Sequence, residues 1–436
     1  MRLTISRILH AGYLFESGGA RVLVDPLFET PFSRNCFAYP AVEFDVRQIR
    51  GETFDAVFIS HYHDDHLSFD SLDLIDRATP IYLFCIHEEI FALLREMGFL
   101  KVYGLKLGAS VSIGQKNSIT ITAHPALDRD VDSILEIEAG GRRVLNVVDS
   151  WIDPDVFSTL QKKSWDLVLW PFQTLRELEV LSPSAALKAP AEIPHEWLEQ
   201  LGQLDAKVFV PSSCQFRFEE WSWMNRVYFP ISYEFFEKNL REVAPRARVL
   251  RLNPGASIHL LDGSFEAASP IAWIKPIGPQ DVDYVFDPDV VVPSTADLAR
   301  KFAALTPTEV AKVAEFCASE LPERYRALEV SEEGDFASAL TWQLSVFDQR
   351  GQAEKYHFSV SGSRLTRIFD DEAVADWTTE VIAARLLGAL QDGESLSSMY
   401  LRISDAPDLL EDPLLRVLFN GEIGSYQRAQ LRRLQR

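Results

Sequence analysis

The densest chemistry in the chain lies in Asp55-Ala-Val-Phe-Ile-Ser-His-Tyr-His-Asp-Asp-His-Leu-Ser68, where an apolar run ends at Ser60 and His61, His63, Asp65 and His66 follow within six residues. Three imidazoles and a carboxylate in one short loop each need a partner or a solvated position. A metal ion satisfies them together, whereas a solvated polar loop has no reason to take this spacing. Imidazole with carboxylate suits zinc, iron or manganese rather than calcium, and the ligand types alone do not choose among these.

The elements that must hold this loop are legible in the first third of the chain. Short β-rich runs cover Met1 to Ile8, Tyr13 to Glu16, Arg21 to Asp25, Ala56 to Ser60, Ile81 to Phe84, Ser118 to Ala123, Ser133 to Ala139 and Val144 to Val148. Ser68 is a candidate N-cap for a helix through Leu72, and Glu88 to Met97 carries apolar residues at helical spacing. Further on, Pro194 to Leu204 and Phe235 to Val243 read as helices. Lys207 to Val210, Arg248 to Leu252 and Ser257 to Leu261 read as strands, with a turn at Asn253-Pro254-Gly255. Beyond the Pro-rich stretch the spacing predicts a helix over Leu305 to Leu321, a strand over Ala339 to Asp348, a hairpin over Tyr356 to Asp370 turning at Gly362, and a long amphipathic helix over Ala373 to Leu390. Strands mixed with helices indicate an α/β or α+β layered fold. The expected division is a metal-binding unit over residues 1–270, a Pro-rich connection over 271–300 and a smaller α+β unit over 301–436.

Composition narrows the function. The 436 residues are 47% hydrophobic and 25% charged, which is globular and excludes low-complexity and collagen-like classes. A net charge of -21 disfavours nucleic acid as a partner, and the basic run Arg432, Arg433 and Arg436 reads as a solvated tail. Cys36, Cys85, Cys214 and Cys317 form no paired metal or disulfide framework, and no stretch is long enough for a membrane span, so a cytoplasmic protein is expected. Oligomeric state is not legible.

His61-x-His63-x-Asp65-His66 after an apolar strand resembles the signature of the metallo-β-lactamase superfamily. The resemblance implies an αββα sandwich with the metal site at one edge, and it carries over two further ligands by position. His124, after Ile119 to Ala123, matches the family's next histidine, and Asp149, after Val144 to Val148, matches the bridging aspartate. By this likeness His61, His63 and His124 would hold one metal, and Asp65 and His66 the second, with Asp149 between; Asp65 and Asp149 are then the catalytic carboxylates. Leu9-His10-Ala11-Gly12 and Val24-Asp25-Pro26-Leu27 are similar to the opening of superfamily members, which places His10 and Asp25 behind the ligands, where they would fix orientation. The family's final histidine has no counterpart in Phe209-Val-Pro-Ser-Ser-Cys-Gln-Phe216, so Ser212, Ser213, Cys214 or Gln215 would substitute, or water or substrate would fill the position. His87, His195, His259 and His357 stand without a partner motif and read as structural or surface residues.

A longer likeness narrows the choice. Asp25-Pro-Leu-Phe with Pro31-Phe-Ser-Arg34, His66-Leu-Ser-Phe-Asp-Ser-Leu72, Leu145-Asn-Val-Val-Asp149, Val208-Phe-Val-Pro211, Pro254-Gly-Ala-Ser257 and the stretch Leu414 to Gly421 together resemble the metallo-β-lactamase-like part of the CMP-N-acetylneuraminate hydroxylase family. That family is a monooxygenase fed through a Rieske centre, which needs a paired Cys-x-His and Cys-x-x-His set. No such pair stands in this chain. The resemblance therefore implies a non-haem iron oxygenase with two metal ions, iron favoured over zinc or manganese, a small-molecule substrate and an external electron-donor protein. The alternative is a zinc-dependent hydrolase of an ester, amide or phosphodiester, in which the metal lowers the pKa of a bound water. Ala339 to Asp348, the hairpin after it, Ala375-Asp-Trp-Thr-Thr379 and Leu386 to Gly393 are also similar to sterol-carrier-like domains, which would enclose an apolar cavity; the competing reading is a domain that packs or dimerises.

Overall fold

The computed structural model describes residues 2–183, 191–328, 338–370, 372–419 and 424–436. Met1 and Gly421, which the sequence places in a first strand and in a family-like stretch, lie outside the described residues. Two sheets face each other. The first runs in the order Ser264–Ala268, Ser257–Leu261, Leu3–Arg7, Tyr13–Ser17, Ala20–Val24, Ala56–Ile59, Ile81–Leu83 and Val102–Gly104. The second runs Arg248–Val249, Val208–Ser212, Leu167–Pro171, Arg142–Asn146, Ser133–Ala139, Ile119–Pro125 and Ser110–Ile113.

Strand alternation builds the layers. Ile5, Phe15, Val22 and Phe58 of the first sheet form one buried cluster with Ile121, Ile137, Val144, Leu169 and Val210 of the second. The other faces of the same strands, through Leu14, Leu23, Val57 and Ile59 on one side and Leu145, Val168, Trp170 and Phe209 on the other, join the apolar stripes of the covering helices. Ile90, Phe91 and Leu94 come from Glu88–Glu96, Leu201 from His195–Gln203, and Phe236 and Leu240 from Tyr233–Val243. The architecture is the αββα sandwich. Residues of period two buried on both faces also fix register, because a slip by one would exchange the two cores.

Within each sheet the strands that carry the site are parallel: Ala20–Val24 beside Ala56–Ile59, and Arg142–Asn146 beside Leu167–Pro171 and Val208–Ser212. Their carboxyl ends therefore open on one edge, which is where α/β sheets form crevices. The segment after the sandwich folds back on it. Ile274–Pro276 pairs with Val42–Phe44, and the Tyr284 hydroxyl donates to the carbonyls of Cys214 (2.5 Å) and Phe216 (3.0 Å).

The last part of the chain forms a five-stranded sheet in the order Arg364–Ile368, Ala353–Ser361, Leu340–Phe347, Trp377–Ile382 and Arg402–Ser404. The expected long helix from Ala373 is corrected here. Trp377-Thr-Thr-Glu-Val-Ile382 alternates β-branched and buried residues and pairs in parallel with Leu340–Phe347, and the helix begins only at Ala383. The helix expected over Leu305 to Leu321 starts at Pro307 behind a Thr306–Glu309 capping box and continues through a π-turn to Ala327. Trp342, Trp377 and Phe358 fill the interior against this sheet. Among the described residues no helix is long and apolar enough to cross a membrane.

Arg432, Arg433 and Arg436 are exposed as expected, but the segment that carries the first two is a packed helix rather than a tail. Ser425–Leu434 is a helix packed against Phe69–Leu72 and Glu88–Glu96. Two of its side chains are buried glutamines: Gln430 accepts from the Phe69 amide (2.8 Å) and donates to Ser68 Oγ (3.0 Å), while Gln427 donates to the carbonyls of Tyr62 and Leu67 (both 3.1 Å). Beneath this contact Glu29 accepts from the Ser68 hydroxyl, and burial, helped by the nearby Asp70, pushes its carboxyl up to about 7. The folded pKa lies above the ordinary one, so folding favours the protonated acid; its contribution is complete below about 4.5 and is lost as pH rises through 7. Glu29→Gln should thus leave stability at pH 4.5 unchanged and raise it at pH 8 by on the order of 2 kcal/mol, checked by denaturant unfolding at both values.

Candidate metal centre

Asp25 sits under the metal loop. It follows Ala20–Val24 with a left-handed φ of 41°, and because Val24 pairs with Phe58 its carboxylate arrives beside Ser60, where the loop begins. It is fully buried, and its oxygens accept from the Ser60 amide (2.7 Å), the Ser60 hydroxyl (2.7 Å) and His66 Nδ1 (3.1 Å). The second contact sets the next. With its proton given to Asp25, Ser60 Oγ can only accept from His61 Nδ1, at 3.0 Å. One buried carboxylate thereby orients both rings through Nδ1 and turns both Nε2 atoms toward the cluster, the orientation a metal needs.

These Nε2 atoms converge on carboxylates. His66 Nε2 lies 2.9 Å from Asp149 Oδ2 and 3.7 Å from Asp65 Oδ2, and His61 Nε2 lies 3.8 Å from Asp132 Oδ1. The ligand atoms of His61, His63 and Asp65 form one group within 4.8 Å of one another, and those of His10, Asp65, His66 and Asp149 form a second. Asp65 belongs to both. Val148, a β-branched residue at φ 63°, turns the chain so that Asp149 enters the cluster; its amide donates to Asn146 Oδ1 at 3.0 Å. Such strain at a strand end is what functional sites hold.

His10 behaves differently from the other rings. Its Nδ1 accepts from the Cys214 amide at 2.9 Å, so in the neutral ring Nε2 carries the proton and donates toward Asp65 Oδ2 at 3.2 Å. In that tautomer it positions Asp65. Arg7, itself fully buried, holds this corner together by donating to the carbonyls of His10 and Pro211.

The electrostatics are those of a site built around positive charge. Burial opposes ionisation of His66, yet Asp149 and Asp65 hold it well above the ordinary imidazole range; burial and His66 push His61 well below it. Burial likewise raises Asp65 and Asp149, but the neighbouring imidazoles outweigh it and hold both below the usual carboxylate range. Asp132 is raised by burial and by Asp149. Two carboxylate oxygens, Asp132 Oδ1 and Asp149 Oδ1, are buried with no hydrogen-bond partner. Orphaned acceptors beside imidazole nitrogens fit one or two divalent transition-metal ions.

Of the residues singled out from sequence, the fold brings His61, His63, Asp65, His66 and Asp149 together, with His10 and Asp25 behind them. It does not bring His124. Along Ile119–Pro125 the buried residues are Ile119, Ile121 and Ala123, so His124 falls on the alternate face and pairs through Nε2 with Glu136 at 2.9 Å, within a network that includes Lys163. The carboxylate beside His61 is Asp132, on the turn that follows, which sequence reasoning missed; the signal was the acid-rich run Asp128-Arg-Asp-Val-Asp132 before the next strand. The substitute ligands offer backbone rather than side chain: Ser213 Oγ donates to the Ser212 carbonyl, Cys214 gives its amide to His10 with its thiol pushed up by burial, and Gln215 turns to the Leu252 carbonyl. His195, His259 and His357 find partners in Glu199, Thr4 and Gln343, and His87 packs edge-on to Tyr62.

A cavity of about 560 Å³ opens on the cluster. His10, His63, Asp65 and Asp149 line its floor, Cys36, Phe216 and Tyr228 one side, and Glu394 to Ser397 with Leu418, Phe419 and Tyr426 of the C-terminal part another. A larger cleft of about 780 Å³ lies elsewhere, around Gly140 to Arg143 and Lys207, but its charges are spent on each other in Arg143–Glu138 and Lys207–Asp166 pairs, and we assign the chemistry to the smaller cavity.

Residues 9–149 match the family described as the metallo-beta-lactamase superfamily. The chain is also similar to the cytidine monophosphate-N-acetylneuraminic acid hydroxylase of Danio rerio, 27% identical over 156 residues, which are 34% of this chain; the chain spans about a quarter (26%) of that relative's length. Solved structures with a likeness include Igni18, a metallo hydrolase from Ignicoccus hospitalis (19% identity, 60% of this chain and 99% of the other, TM-score 0.41). Another is CmlA, a diiron β-hydroxylase from Streptomyces venezuelae (16% identity, 59% of this chain and 54% of the other, TM-score 0.39).

The geometry separates two aspartates and a histidine by consequence. Asp132→Ala should lower the metal retained after loading and dialysis, and His124→Ala should leave it unchanged. Asp25→Asn, which keeps size but removes the charge that orients both rings, should weaken metal binding about 10- to 100-fold. Metal content of the dialysed variants checks all three.

Proposed function

We propose that the chain is a non-haem iron oxygenase that oxidises a small organic substrate with dioxygen, with electrons from an external donor protein. The observation that carries this reading is the exchange at His61: where the resemblance supplies a third imidazole, the residue beside the ring is the carboxylate Asp132. His61 and His63 with a carboxylate, Asp65 of the same ligand group or Asp132 at 3.8 Å from His61, are then two imidazoles and one carboxylate, the set that marks non-haem iron(II) oxygenases. Asp65, His66 and Asp149 would hold a second ion beside it. Bound iron would supply dioxygen activation, and the overall reaction balances as R–H plus O2, two electrons and two protons to R–OH and water.

The chain's own residues would do the rest. Asp25 holds the ligand rings in register, His10 holds Asp65, and the walls from Phe216, Tyr228 and Phe419 exclude water from a small substrate. The partial likeness to a hydroxylase points the same way. An external donor is needed because Cys85-Ile86-His87 carries only half of a Rieske pair, and its thiol is taken by the His87 amide at 3.4 Å. A cytoplasmic location is part of the proposal, since the isolated thiols ask for a reducing compartment.

Protein isolated from iron-supplemented cells should hold iron at about two equivalents and, once reduced, consume dioxygen in step with substrate oxidation, with both activities lost in His61→Ala. Zinc as the sole metal, with steady turnover of an ester or phosphodiester and no oxygen uptake, would replace this reading with the hydrolase.

A further inference from the structure

The helix Ser425–Leu434 has a second face. Opposite Gln427 and Gln430 it borders a cleft of about 220 Å³ shared with the helices Leu321–Ala327 and Ala383–Asp392, and Arg324, Arg428 and Arg432 all line it. No carboxylate appears among the described lining residues, in a chain with an excess of 21 negative charges. Two of these guanidinium groups are fixed by the protein: Arg324 donates to Glu320 at 2.9 Å and lies over Phe316, and Arg432 donates to the Gln391 carbonyl at 2.9 Å. Arg428 is not. Its Nε is buried without a hydrogen-bond partner, and among the described residues no carboxylate lies in ion-pair range. An adjoining hollow adds Lys312 and Arg436 beside Asp392, with Arg433 already paired to Asp70.

Arg324 has Glu320, but Arg428 and Arg432 share the cleft without a carboxylate among its described lining residues, and the buried unsatisfied Nε of Arg428 is costly unless an anion meets it. The space is below the 300–1,000 Å³ of a drug-sized pocket and fits a small group. Guanidinium forks match the oxygens of a phosphate, and the Ser425 hydroxyl stands at the same cleft. We propose that this cleft is a binding site for a phosphate-type oxyanion, separate from the metal cavity, that Arg428 and Arg432 clasp it, and that it ties the helix holding the metal loop to Ala383–Asp392.

The test is calorimetric titration of the full chain, stripped of metal, with inorganic phosphate at constant ionic strength set by chloride. Saturable binding at one site is expected, weakened about tenfold in Arg428→Ala and abolished in Arg428→Ala with Arg432→Ala. It should be unchanged in His61→Ala, because the site is not the metal centre. Arg428→Lys, which keeps the charge, should retain part of the affinity and guards against loss of fold as the explanation. Co-sedimentation with phosphatidic acid vesicles, lost in the same double variant, would assign the phosphate to a lipid headgroup; binding of free phosphate without co-sedimentation assigns it to a soluble ion. Absence of saturable binding, or binding lost in His61→Ala and kept in the arginine variants, would overturn the proposal.

Discussion

A carboxylate with no exposure to water and three donors aimed at it, Asp25, is the constraint around which the rest of the site is arranged. A buried negative charge is tolerable only when its lone pairs are satisfied, and here the satisfying groups are a backbone amide and hydroxyl of Ser60 and the ring of His66. Because the Ser60 proton is committed to Asp25, the orientation of His61 is settled one bond further out. The parallel pairing of Ala20–Val24 with Ala56–Ile59 makes this reach structural rather than fortuitous. The same carboxylate thus stabilises the strand ends and prepares the ligands.

Metal and acid then compete for one role. Without an ion, Asp65, Asp149 and Asp132 face each other across buried imidazoles, and the neighbouring carboxylates favour a positive charge on His66. That arrangement satisfies Asp149 Oδ2 and leaves Asp149 Oδ1 and Asp132 Oδ1 empty. A divalent ion would take the place of that proton, bind the Nε2 atoms and give both orphaned oxygens a partner. His10 borders this exchange through Nε2, with the Cys214 amide holding its Nδ1.

What could be seen in the sequence follows the range of the interaction. His61, His63, Asp65 and His66 share one loop, so their spacing alone announces them, and Ser133–Ala139 and Ser257–Leu261 alternate strongly enough to be placed residue for residue. His124 looked like the next ligand because it ends a strand, but position along a strand does not say which face a side chain takes. On its face of the strand it pairs with Glu136, and the carboxylate that stands 3.8 Å from His61 is Asp132 on the turn. Trp377–Ile382 was hidden for another reason: its helix-like apolar spacing continues into Ala383, and only pairing with the distant Leu340–Phe347 makes it a strand.

The most distant relationship is the one that changes the meaning of the chain's length. The sandwich closes with Ser264–Ala268, yet the loop that carries His63 and Asp65 is held from outside by Gln427 and Gln430, more than 350 residues later, and the cavity above it is walled by Glu394 to Ser397 and Tyr426. A loop with four polar side chains turned toward one cluster has little apolar burial of its own to keep it ordered. Amide donors to its Tyr62 and Leu67 carbonyls supply that order without adding charge beside the metal. The C-terminal part is therefore not an appendage to a finished site; it completes the frame in which the ligands are presented.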